Sequence, residues 1–65
     1  MDWDHAIFYN ENSAARLGWE PQWFGCSEID DQCCRNIQKY QRLNNLVADG
    51  LCGPSTYRRI YASMQ

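Results

Sequence analysis

Trp3, Ile7, Asn10, Ala14 and Leu17 recur at steps of four, three, four and three, which commits the first quarter of the chain to a helix with one inward face. Asp2 is placed to cap its start, and Asp4 suits its first turn. Gly18 comes directly after the last periodic residue and reads as the stop. The spacing therefore predicts a helix over Trp3–Leu17, with Asn10 as its one polar inward member. Asn10, Asn12 and Ser13 are mediocre helix formers, so a break is expected near Asn12 if the helix has one. With 65 residues in all, such a helix must share a single small core with the rest of the chain.

The remaining residues repeat a pattern of loop, turn and helix. Trp19 to Glu28 reads as a loop, holding Pro21, Gly25 and Ser27 together with Trp19, Trp23 and Phe24. Asp30 and Asp31 open a second helix with Cys33, Ile37 and Tyr40 inward, Cys34 at the flank and Leu43 near the end. Asn44-Asn45 stops it, since Asn tolerates a left-handed backbone. Leu46 and Val47 are expected to pack back onto the core, and Asp49-Gly50 is a turn signal. Gly53-Pro54 starts a third helix whose apolar face is Tyr57, Ile60, Tyr61 and Met64. The predicted fold class is all-α, a compact three-helix bundle with loop-rich connections, as one domain over residues 1–65.

Composition narrows function mainly by exclusion. Six Lys and Arg against eight Asp and Glu give a net charge of -2, which disfavours nonspecific binding to nucleic acid or to an anionic membrane. No apolar run approaches a membrane span. The acidic start, with no apolar stretch behind it, reads as lacking a signal peptide, so synthesis in the cytoplasm is expected. Cys26, Cys33, Cys34 and Cys52 read first as small apolar core residues. A disulfide and a zinc site with His5 are the alternatives. A Cys33–Cys34 bridge would be strained, and six residues between Cys26 and Cys33 do not match a zinc knuckle. Catalysis is hard to assemble: His5 is expected to be exposed, and the side chains of Asp30 and Asp31 diverge.

The stretch from Ile37 to Thr56 carries a longer pattern. It has an aliphatic Ile37, the aromatic-Gln pair Tyr40-Gln41, then Leu46, Asp49-Gly50-Leu51 and Gly53-Pro54-Ser55-Thr56, without a gap. Upstream stands Leu17-Gly18-Trp19-Glu20-Pro21. These motifs resemble the peptidoglycan-binding domain family, the small three-helix module attached to many cell-wall hydrolases and phage lysins. Asn45 stands where the family has glycine, Cys52 where an aromatic is common, and Asn10 and Ala14 where larger apolar residues are usual. The family's first Asp-Gly turn is blurred at Gly25 to Asp30.

The resemblance implies a noncatalytic, monomeric module that needs no cofactor, binds bacterial peptidoglycan and acts at the cell wall beside a covalently linked lytic domain. Trp19, Trp23 and Tyr57 are the candidates to stack on sugar faces, and the alternative for the two tryptophans is to cover the bundle. Arg42 and Arg58 offer forked donors to stem-peptide carboxylates, or form a solvated face. Gln41, Asp49 and Gly50 either touch ligand or build the turn, with Gln41 capping the neighbouring loop and Gly50 supplying a positive φ. Two other classes stay open: a helical protein-interaction domain that has kept the fold but lost wall binding, and a zinc-stabilised mini-domain.

Overall fold

Local capping decides where each helix starts and stops. In the computed structural model, which describes residues 2–65, Asp2 caps α1 (Trp3–Leu17) by accepting the His5 amide at 3.2 Å. Gly18 closes α1 at φ +89, with its amide on the Ala14 carbonyl. No break occurs at Asn12, whose side chain turns back onto the Phe8 carbonyl (2.8 Å) and leaves the helix ladder whole. A 3₁₀ turn (Pro21–Phe24) occupies the expected loop and drops Phe24 into the core. Asp30 caps α2 (Asp31–Leu43) through the Cys33 amide at 2.9 Å. Asn45 then takes φ +59, and the Leu46 amide reaches back to the Gln41 carbonyl at 2.8 Å, a Schellman closure. Finally, α3 (Pro54–Ser63) starts on Pro54, with no side chain capping it. The result is an all-α, three-helix fold, with no strand among the described residues.

The inward faces differ from the periodic reading. On α1 the buried residues are Ala6, Asn10 and Ser13, while Ile7 and Leu17 are half-buried. Small side chains there let α1 lie close on α2. Trp3 sits at the rim, where the Arg35 guanidinium rides 5.4 Å above its ring. On α2 the inward line runs Cys33, Cys34, Ile37 and Gln41. Leu43, two positions past Gln41, is rotated off that line and is exposed. Val47, expected to fold back, is also exposed, because the left-handed Asn45 redirects the chain. On α3 only Thr56 and Ile60 are buried, so Tyr61 and Met64, expected inside, stand outside.

The core consists of Trp19, Phe24, Cys33, Ile37, Cys52 and Ile60. Three of the four free thiols, Cys33, Cys34 and Cys52, are fully buried, and Cys26 is half-buried. Burial pushes the Cys52 thiol up to about 12 from its ordinary 9.0. Burial, then the neighbouring Cys26 thiol, raises Cys33 further, and burial raises Cys34 as well.

A raised folded-state value means that the folded chain keeps protons the unfolded chain releases. The stability involved is fully present below pH 9.0 and is lost as pH climbs from there toward about 12. The urea midpoint should therefore hold from pH 7 to 8.5 and fall above it, with a shallower fall in Cys52→Ala. Equal slopes in the two proteins would show that the thiol does not carry the effect.

Candidate functional site

Two buried side-chain amides, from two different helices, grip the loop between α2 and α3. Asn10 on α1 donates from Nδ2 to the Gly50 carbonyl at 2.9 Å and accepts the Cys52 amide on Oδ1 at 2.8 Å. Gln41 on α2 accepts the Gly50 amide on Oε1 at 2.8 Å. Its Nε2 lies 3.0–3.1 Å from the Leu51 carbonyl, Thr56 Oγ1 and Asp49 Oδ1. Asp49 Oδ1 also takes the Leu51 amide at 3.0 Å, closing the turn on itself. Gly50, at φ +75, supplies the left-handed step between the two amides. Ser13 extends the clamp: its hydroxyl donates to the Cys52 carbonyl and accepts the Trp19 indole N–H at 2.9 Å. No buried side-chain polar atom among the described residues is left without a partner.

The clamped loop forms one wall of an open cleft of about 410 Å³. Tyr9 of α1 faces it, Leu46, Val47 and Leu51 line its apolar side, and Asn45, Asp49 and Ser55 supply polar groups. Gly53 makes room for Tyr9, since a Cβ there would stand 3.1 Å from the phenol oxygen. The uncapped first turn of α3 completes the rim. A second opening, a groove of about 370 Å³, lies between the 3₁₀ turn and α2 and is lined by Trp23, Phe24, Asn36, Lys39, Tyr40 and Leu43.

The structure divides the eight residues singled out in the sequence. Gln41, Asp49 and Gly50 meet in the clamp. Trp23 and Tyr57 meet elsewhere, with ring centroids 5.9 Å apart and planes 23° apart. Trp19 joins neither surface. It is 2% exposed, its N–H is used by Ser13, and Phe24 packs edge-on against it, so it offers no face to a sugar. Gln41 and Gly50 are likewise buried, which limits them to shaping the cleft. Arg42 and Arg58 are exposed and line neither opening.

Sequence reasoning placed Asn10 inward, as the structure does, but gave no site role to it, to Tyr9 or to Tyr61. For Asn10 a signal existed: an amide on an otherwise apolar helix face needs buried partners. Tyr61 stands four residues after Tyr57, the spacing at which helical side chains touch. Nothing local marks Tyr9, which faces the cleft only because a loop 40 residues on is pulled against α1. Among the described residues, no three His, Cys, Asp or Glu side chains group as a metal site would need. No family model, curated protein or solved structure matches this chain.

The clamp predicts a sharp asymmetry between two asparagines of α1. Asn10→Leu strands the Gly50 carbonyl and the Cys52 amide and should cost about 2–4 kcal/mol. Thermal unfolding should then come about 10 °C lower or more. Asn12→Leu, at an exposed site, should shift stability by less than about 0.5 kcal/mol. Similar melting of the two variants would disprove the clamp's role.

Proposed function

We propose that this chain is a noncatalytic module that binds bacterial peptidoglycan and holds a linked lytic domain at the cell wall. One observation carries the reading. The residues through which the sequence resembles wall-binding modules — Gln41, Asp49, Gly50, Leu51 and Thr56 — are bonded into one unit, and that unit shapes an open cleft.

The cleft suits a short peptide. Asn45, Asp49 and Ser55 hydrogen-bond amides, Leu46 and Leu51 cover small aliphatic side chains, and the open amides at the start of α3 favour a carboxylate. Arg42 and Arg58 stand in solvent, where they would meet further carboxylates of the cross-linked mesh. Binding alone raises the local concentration of an attached hydrolase on an insoluble substrate. The noncatalytic reading rests on the resemblance to wall-binding modules. No helix among the described residues is long and apolar enough to cross a membrane.

A second reading, a protein-interaction domain, draws on the exposed Leu43 and Val47. Sedimentation with purified insoluble walls of several chemotypes separates the two. The wild-type chain should pellet with the wall. Ser55→Trp, which fills the cleft from an exposed position, should weaken retention about tenfold or more at unchanged Tm. Full recovery of wild type in the supernatant for every wall would remove the wall-binding reading and favour the second.

A further inference from the structure

Outside the cleft, the most unusual grouping is the trio of Trp23, Tyr57 and Tyr61. Their centroids form a near-equilateral triangle with sides of 5.9, 5.7 and 6.2 Å, and their planes lie within 15–32° of one another. The rings inside the fold do the opposite. Trp19 meets Phe24 at 90°, and Phe24 meets Tyr40 at 80°, the edge-to-face packing that interlocks a core. The trio instead forms two stacked pairs and one tilted pair, with Trp23 and Tyr57 half-buried against the core and Tyr61 45% exposed as its outer face.

The polar edges of the trio are free. Among the described residues, the Trp23 indole N–H and the Tyr57 and Tyr61 hydroxyls have no protein hydrogen-bond partner, and none of them is a buried unsatisfied group. An apolar protein surface laid over the trio would strand all three, at a cost of about 1–3 kcal/mol each. A partner that matches flat ring faces and also offers hydroxyls at their edges avoids that cost. Pyranose rings do both. Trp23 also lines the groove, together with the apolar Leu43, the ring of Tyr40 and the donor Lys39. That lining offers both apolar contact and a hydrogen-bond donor beside the trio.

We infer that Trp23, Tyr57 and Tyr61, with the adjoining groove, form a platform for a glycan strand of N-acetylated pyranoses, separate from the cleft. The platform is grounded in ring geometry and unpaired polar edges; only the choice of N-acetylated sugars rests on the wall-binding reading. The strand would run along the trio in face contact, each ring edge bonding a sugar hydroxyl.

The chain reports on this directly, because it has three tryptophans in three environments. Trp3 lies under Arg35, Trp19 is buried, and Trp23 is on the platform. Titrating the ¹⁵N-labelled chain with a soluble β-1,4-linked N-acetylglucosamine oligosaccharide should move the Trp23 indole resonance and leave those of Trp3 and Trp19 in place. Tyr61→Ser, at an exposed site, should weaken binding about tenfold, whereas the cleft variant Ser55→Trp should bind the saccharide like wild type. An unmoved Trp23 indole, or undiminished binding by a folded Tyr61→Ser, would overturn the platform. Wall sedimentation with a silent Trp23 also overturns it and leaves the cleft reading standing. A shifting Trp23 without wall sedimentation supports the platform and removes the wall-binding reading.

Discussion

Asn10 and Gln41 hold a loop that no helix contains. A chain this short cannot bury enough apolar surface to pin an irregular segment by packing alone. It uses hydrogen bonds instead, and places them where water cannot compete. Between them the two amides take up both backbone groups of Gly50 and one each from Leu51 and Cys52. Because Asn10 belongs to α1 and Gln41 to α2, the loop also ties those helices to the start of α3 through Thr56. The arrangement is cooperative: loss of one amide frees the loop from one helix and exposes the partners of the other.

The clamp explains other choices along α1. Ala6, Asn10 and Ser13 are small, so the helix can approach the loop closely enough for side chains to reach its backbone. Ser13 then relays from the Cys52 carbonyl to Trp19, which lets a large aromatic with a polar N–H sit deep in the core at no cost in unpaired groups. Two compact thiols, Cys33 and Cys52, share the core with Ile37 and Ile60, and the buried Cys34 takes the Asn10 amide instead. Burial raises the pKa values of all three thiols, because it disfavours the charged thiolate.

Helix boundaries were legible in the sequence because caps are local. Asp2, Gly18, Asp30, Asn45 and Pro54 act within a few residues of themselves, and the structure places all of them at helix ends. Facing directions were less legible. Leu43, Val47 and Tyr61 look inward by composition, yet Gln41 holds an inward position because it answers backbone groups in the loop, and Thr56 holds one beside it as a partner of the Gln41 amide. A polar residue wins a core position only when its partners are known, and those partners lie up to 42 positions away in the chain. The same distance hides Tyr9. Of the tryptophans, only contacts across the fold separate the buried Trp19 from the half-buried Trp23, which stands four positions later in the sequence.

Size also sets the style of recognition. A core of this extent has no room for a ligand, so any binding must use the surfaces that the helices and loop present outward. The two openings differ in kind for that reason. The cleft is built by the clamp, so its shape is as rigid as the hydrogen bonds behind it. The aromatic trio is built on one face of α3 and one turn before α2, and leans on the clamp only through the position of α3. In a cross-linked polymer of sugars and peptides, a rigid polar cleft and a flat aromatic face would engage different chemical parts of one mesh. Two weak contacts with one mesh would hold a small domain longer than either alone, because each keeps the other at high effective concentration.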